Sequence, residues 1–352
     1  MGIKNDKIVL TEKVMKNLLF LLIMMFSLLG YGQHNSTMYR IAFYNVENLF
    51  DVYDDPEKQD DEFLPYGIKG WNYEKYQRKL SHLYKTIVAV GEESKLLCLG
   101  LCELENRFVT RQLLENTPLH KFDYQYIQYE SPDNRGIDVA LVYNPNLLEP
   151  LYSEPISIIY DFDTAARTRD ILYVKALVLN CDTLHIFVNH WPSRFGGLME
   201  TVPKRNFVAS VLRKFCDSLL TDNPAANILI MGDLNDDPTD ESVRENLKAG
   251  SQGDLVNLMH PARWKQERGT LKHGGVWNVF DQIIVSSPML ILENSFSIIG
   301  SRAYAAENAF LFCFDEKYPG LKLFRTYSGM QYTGGFGDHL PVFVNLRCNN
   351  SK

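Results

Sequence analysis

Short apolar runs alternate with helical patterns along most of the chain. Ile228-Leu229-Ile230-Met231 is an unbroken apolar run, and Leu96–Leu101 is another, as expected of strands buried on both faces. Tyr39–Val46, Phe122–Tyr129 and Ile137–Tyr143 also read as strands. So do Pro155–Tyr160 and Ile171–Leu179, the latter returning through Asn180-Cys181-Asp182 into Leu184–Asn189 as a hairpin. Val276–Ser286, Leu290–Ile299 and Pro341–Leu346 complete the strand set. Helical spacing covers Tyr73–Val90, where Tyr76, Leu80, Leu83, Ile87 and Val90 share one face. Asn106–Glu115, Lys204–Leu220 and Glu241–Lys248 follow as helices, and Arg302–Lys317 reads as partly helical. Asp51–Gly70, Ser131–Gly136, Gly250–Gly275 and Gly334–His339 read as loops or turns. Alternating strands and helices with several hairpins predict two packed sheets with helices outside, in one domain over 33–352.

Polar groups gather at the ends of these strands. Asn45 and Glu47 close the first strand and Glu103 follows the second. His190 ends the hairpin, and Asp233 and Asn235 lie two apart just past Gly232, able to project to one side. Asp281 lies within the Val276 run, and Asp338-His339 precedes the last strand. Buried charge is costly unless paired or bound to metal, so six such clusters point to a site rather than to stability.

The formal net charge of −7 over 352 residues argues against binding nucleic acid through bulk positive charge. It leaves room for a phosphate held by a metal ion and a few local arginines, of which Arg135 and Arg194 are the candidates. Lys16 before the apolar run Leu18–Leu29, then Gly30-Tyr31-Gly32, has the form of a signal peptide cleaved after Gly32. Met15 is the expected start, residues 1–14 an upstream addition, and 15–32 the signal. Four of the 36 basic and two of the 43 acidic residues leave with it, so the mature charge becomes −9. The run is short for a membrane span, so export without a stable membrane anchor is expected, in a bacterial periplasm or outside the cell. The six cysteines match no zinc framework and read mostly as buried thiols, with room for one bridge whose pairing the sequence leaves open.

The ordered motifs Phe43-Tyr44-Asn45-Val46-Glu47-Asn48, Cys102-Glu103, Asn189-His190-Trp191-Pro192, Gly232-Asp233-Leu234-Asn235, Phe280-Asp281-Gln282 and Gly337-Asp338-His339-Leu340-Pro341 resemble those of the endonuclease/exonuclease/phosphatase superfamily. This is the deoxyribonuclease I-like group, and the closest likeness is to secreted bacterial endonucleases. The resemblance spans Arg40 to Val344. It implies a four-layer α/β/β/α sandwich, with two mixed sheets flanked by helices, and phosphoester hydrolysis with a divalent metal. Carried over by motif, Glu103 is the main metal ligand with Asn45 beside it, and Glu47 and Asp338 lie near the metal. Asp233 and Asn235 align water and phosphate. His339 is the catalytic histidine, oriented by Asp281, and His190 holds the scissile phosphate or acts as general acid. Oxygen ligands favour Mg2+ or Mn2+, and a histidine paired with a carboxylate suits the base that water needs.

Asp138 interrupts an apolar run, and relatives of the deoxyribonuclease type carry a carboxylate for the histidine at the His190 position, so an Asp138–His190 pair is expected; a surface pair with Arg135 is the alternative. Ser193 stands where abasic-site enzymes often have Asn, which weighs against that specificity. Gly337 replaces the usual Ser or Thr before Asp-His. The leading function is a secreted metal-dependent nuclease acting on DNA or RNA as a monomer, with no protein partner. The alternatives are a sphingomyelinase-like phospholipid hydrolase, a sugar- or inositol-phosphate phosphatase, and a binding protein that lost catalysis.

Overall fold

The computed structural model describes residues 38–91, 95–179 and 181–349. The expected upstream segment 1–14 and signal 15–32 lie outside the described residues. Strands β1 (Met38–Leu49), β2 (Lys95–Leu104), β3 (Gln125–Gln128) and β4 (Asp138–Tyr143) belong to one sheet. Strands β5 (Leu148–Ile156), β6 (Ile171–Val178), β7 (Asp182–His190), β8 (Asn227–Asp233), β9 (Ala249–Gly250) and β10 (Leu255–Asn257) belong to a second. A ribbon, β11 (Leu271–His273) with β12 (Val276–Asn278), precedes β13 (Asp281–Ser286), which joins the second sheet. Strands β14 (Phe296–Ile298), β15 (Tyr304–Ala305) and the late β20 (Val342–Cys348) return to the first. Between them run two more ribbons, β16 (Phe312–Phe314) with β17 (Leu321–Leu323), and β18 (Tyr327–Ser328) with β19 (Gln331–Tyr332).

The sheet orders are β14-β20-β1-β2-β4-β3, with β15 on β20, and β5-β6-β7-β8-β13-β10-β9. Both are mixed: β1 with β2 and β7 with β8 run parallel, while β20 and β13 run antiparallel to their neighbours. The period-two alternation of strands makes the layers. Ile41 and Phe43 of β1 and Leu229 and Met231 of β8 meet between the sheets. Ala42 and Tyr44 face the opposite way, toward helices α1 (Tyr73–Gly91) and α2 (Arg107–Glu115). Ile228 and Ile230 face α3 (Leu198–Asp222). The result is the expected α/β/β/α sandwich. Among the described residues, no helix is long and apolar enough to cross a membrane.

Several local expectations need correction. The strand expected at Pro155–Tyr160 is β5, seven residues earlier. As an edge strand it accommodates Pro150 and Pro155, whose missing N–H groups would break a central one. Ile158 and Tyr160 are buried beyond its end, which made them look like strand. Helix α3 starts at Leu198, with Pro203 in its second turn. The expected helix Glu241–Lys248 is one wide turn, Ser242–Asn246, held by Ser242 Oγ donating to Asp236 at 2.6 Å. Phe122–Tyr129 and Leu290–Ile299 shrink to β3 and β14. Arg302–Lys317 is not helical beyond one 3-10 turn, Ala309–Leu311, because its flanks pair as β15 and β16. The Val276–Ser286 run splits at Val279-Phe280: Val279 N donates to Asp237 Oδ1 at 2.7 Å, and Asp281 then opens β13.

Candidate active site

The parallel strands β1, β2, β7 and β8 end at the same edge where antiparallel β13 begins and where the chain enters β20. Asn45 therefore pairs with Cys102, next to Glu103, and Asp233 sits between His190 and Asp281 in register. Gly232 makes this possible. A Cβ there would lie 2.4 Å from the Asn189 carbonyl oxygen, so only glycine lets β7 and β8 close at this point.

Asp233 is the hub. Its Oδ1 accepts from Asn235 N at 3.0 Å. Its Oδ2 accepts from Asn45 Nδ2 at 3.0 Å and faces Nε2 of both His190 and His339, each at 3.8 Å. Burial, offset by His339, raises the Asp233 carboxyl to about 6. His339 Nδ1 lies 2.7 Å from Asp281 Oδ2. Burial opposes charge on His339, but the carboxylates of Asp281 and Asp233 outweigh it and hold its pKa well above the ordinary histidine value. His190 goes the other way. Burial and the positive charges of Arg169, Arg135 and His339 push it well below, so its imidazole is neutral.

Glu103 has φ of 63° and presents Oε1 to Asn45 Nδ2 at 3.4 Å and His190 Nε2 at 3.8 Å, while Oε2 accepts from Asn48 N at 2.8 Å. Glu47, Asn48 and Asn235 share this left-handed backbone, which costs on the order of 1–3 kcal/mol each. The carboxylate oxygens of Glu103 and Asp338 suit a hard divalent cation, and Asn45 lies beside Glu103 with its Nδ2 turned to the Glu103 and Asp233 carboxylates. Asp233, Asp281 and His339 also lie within 4.8 Å of one another. The Asp281–His339 hydrogen bond engages both partners' facing atoms, so the cation fits the Glu103 side.

Glu47 departs from its expected place beside the metal. Its carboxylate accepts from Thr326 N at 2.7 Å and lies 3.5 Å from Lys79 Nζ and 3.7 Å from Arg325 Nε, so cations already engage it. Arg325 also holds Asp338 at 2.5 Å. Burial opposes the charge on Asp338, but His339 and Arg325 keep its pKa low. The Asp138–His190 pair is not formed. Asp138 accepts from Ser131 N at 2.8 Å and Gln128 Nε2 at 3.2 Å, capping the 131–136 turn, and His190 Nδ1 has no partner among the described residues. Arg194 is no phosphate contact: it donates to Asn235 O, Asp236 and Asp240 and packs over Phe280, so it braces the Asn235 loop. Arg135 donates to Asn48 Oδ1 and stays near the site. The space left by Gly337 is filled by Tyr44, whose hydroxyl would lie 2.9 Å from a Cβ there.

Sequence reading missed Lys79, Arg169 and Arg325. Lys79 had a signal, since it sits three residues past Tyr76 and one before Leu80, on the apolar face of α1. Arg169 donates to the carbonyls of His190 and Trp191 and pairs with Asp133 at 3.0 Å. Nothing in its local sequence marks it. No disulfide joins the six cysteines among the described residues. Beside Asp338 and Arg325 opens a cavity of about 600 Å³, walled by the β11–β12 and β16–β17 ribbons.

No curated protein matches the chain. Solved structures share its fold. The catalytic domain of human Nocturnin is 17% identical, with a TM-score of 0.55 over 89% of this chain and 95% of that one. A Bacteroides thetaiotaomicron mannosyl-6-phosphatase is 15% identical, with 0.56 over 88% and 99%. D. rerio TDP2 complexed with single-strand DNA product is 14% identical, with 0.52 over 88% and 99%. The model of the Endonuclease/Exonuclease/phosphatase family matches residues 40–348, nearly all of the described chain. With its carboxylates and histidines brought together from the strand ends of both sheets, the chain belongs to the endonuclease/exonuclease/phosphatase family and is a phosphoester hydrolase.

Proposed function

We propose that the chain is an exported, Mg2+- or Mn2+-dependent phosphodiesterase that cleaves nucleic acid. The observation that carries this reading is Asp233 Oδ2 lying 3.8 Å from Nε2 of two histidines, one neutral and one charged, with Glu103 beside them. Glu103, with Asp338 and Asn45, would hold the cation, which when bound offsets phosphate charge and stabilises the leaving oxygen.

The chain's own groups supply the rest. Asp233, at about 6, is ionised at neutral pH and accepts the proton of the attacking water. His339 keeps its proton and donates it as a hydrogen bond to a phosphate oxygen. This gives the base role to Asp233 rather than to His339. Neutral His190 and Asn235 steady the phosphate, and Arg135 adds positive charge at the rim.

Nucleic acid as substrate draws support from the DNA-bound D. rerio neighbour. A second reading, a phosphatase for phosphorylated sugars or polyols, draws on the compact cavity beside Asp338 and on the mannosyl-6-phosphatase neighbour. Export rests on the Lys16–Gly32 sequence pattern. Purified protein with Mg2+, assayed on plasmid, RNA, sphingomyelin, inositol phosphates and mannose 6-phosphate, tests both readings. Turnover of the nucleic acids supports the first. Turnover confined to a small phosphomonoester replaces it with the second.

A further inference from the structure

The cavity beside Asp338 is continuous with the active site, since Asp338 and Arg325 line it. Its other charged groups come from outside the catalytic motifs. Lys272, Lys317, Lys322, Asp315 and Glu316 sit on the two ribbons or on the turn between β16 and β17. Two of the lining cations are engaged: Lys272 Nζ holds Asp315 at 2.7 Å, and Arg325 holds Asp338. Lys317 and Lys322 form no ion pair with a described residue. Exposed Glu316 is the one acid of the lining outside the two pairs, among the described residues. A chain of net charge −7 thus places two lysines without an ion-pair partner on the lining that Asp338 shares, Lys317 with its Nζ 5.2 Å from the Tyr318 ring centroid.

The wall that carries them is built rather than loose. Asp315, fixed by Lys272, accepts from the backbone N–H groups of Lys317 and Tyr318 at 3.1 and 3.2 Å. A Cβ on Gly275, whose φ is 85°, would lie 2.8 Å from the Tyr318 ring, so one ribbon packs closely on the turn of the other. This anchors the turn that holds Lys317.

We infer that this cavity is a second-phosphate subsite, in which Lys317 and Lys322 receive an anionic phosphate carried by the substrate next to the scissile one. The inference rests on the hydrolase reading and names the substrate class: a molecule with at least two phosphates. Its volume takes a sugar with its phosphate. Lysines suit the task as point charges for phosphate. A nucleic-acid backbone and a phosphorylated polyol both offer this chemistry.

The test uses the full chain carrying His339→Gln, which stops turnover and leaves the metal-side acids in place. With Mg2+ present, it is titrated calorimetrically with adenosine 3′,5′-bisphosphate against adenosine 5′-monophosphate, and with inositol 1,4-bisphosphate against inositol 1-phosphate. The bisphosphate of the correct source binds about tenfold tighter than its monophosphate, the effect of one or two charge-assisted hydrogen bonds. Adding Lys317→Gln and Lys322→Gln removes that gap without changing the melting temperature. A gap in the adenosine pair assigns the nucleic-acid source, and a gap in the inositol pair the polyol source. Equal binding of bis- and monophosphates in both pairs overturns the subsite, as does a gap that survives the two lysine substitutions. Failure of the hydrolase reading would show separately, as absence of Mg2+-dependent turnover by the unsubstituted chain on every phosphoester.

Discussion

Asp281→Asn separates the two ways of assigning the proton. Asp281 is fully buried, and its Oδ2 lies 2.7 Å from His339 Nδ1. At this range a charge pair in a protein of effective dielectric about 20 is worth about 6 kcal/mol, and this attraction is the main support of the His339 charge against burial. The amide that replaces the carboxylate can still accept a hydrogen bond but carries no charge, so burial lowers the His339 pKa from its raised position. In the parent chain the rate rises as Asp233 ionises near pH 6 and then stays level, because His339 keeps its proton. In the variant His339 deprotonates within the working range. The pH–rate profile acquires a descending alkaline limb, with a loss of about 10²-fold at pH 9 and much less at pH 6.5. Stopped assays with a fluorogenic phosphodiester and Mg2+, with melting curves as a fold control, measure this. If His339 were the base, the substitution would move the acidic limb to lower pH and leave the alkaline rate standing. That outcome would refute the assignment.

Three further outcomes follow from the geometry. Glu103→Gln keeps the melting temperature within a few degrees but abolishes turnover and weakens Mn2+ binding seen by electron paramagnetic resonance; full activity in EDTA would contradict the metal reading. Asp138→Asn leaves kcat/KM within about threefold, since Asp138 does not contact His190, and raises stability above pH 7 on the order of 2 kcal/mol. The sign follows from burial, which raises the Asp138 carboxyl to about 7: the folded state binds the proton more tightly, so stability falls as pH rises from about 4 to 7 and stays low above. Urea unfolding at pH 5 and pH 8 reads this, and equal slopes for parent and variant would sink it. Gly232→Ala forces a Cβ against the Asn189 carbonyl and lowers stability by about 2 kcal/mol or more, with loss of turnover; a variant with unchanged Tm and kcat would show that β7 and β8 have room to spare.

What could be read from the sequence was what the strand pattern carries. Apolar runs ending in Asn45, Glu103, His190 and Asp233 brought those groups together once the parallel pair β1–β2 of one sheet packed on the parallel pair β7–β8 of the other. The layered fold followed from the same alternation. Strand ends are local features, so a local reading finds them. The unread part is non-local. Arg325 lies 278 positions from Glu47, and their pairing is decided by how the β18–β19 ribbon folds over α1. A sequence offers an acid near a metal motif but not the lysine and arginine that claim it. Asp138 failed for the same reason: a buried acid needs a partner, and the nearest turn supplied Ser131 N before His190 could.

The strained backbone makes the point physically. Glu47, Asn48, Glu103 and Asn235 are four of the eight described non-glycine residues with positive φ, and all four stand at the site. No propensity scale places a glutamate in that conformation, since local preference opposes it. It persists because Asn45 Oδ1 holds Glu47 N, Glu103 Oε2 holds Asn48 N and Asp233 Oδ1 holds Asn235 N. Each acceptor is itself a polar group of the site. The acids and amides that face the substrate therefore also bend the backbone that aims them, and removing one disturbs the aim of its neighbours. Glu103→Gln retains an acceptor for Asn48 N and should keep the backbone, whereas Glu103→Ala should release it. Crystal structures of the two variants would show φ of Asn48 preserved in the first and lost in the second, and the same φ in both would mean that packing alone fixes the bend.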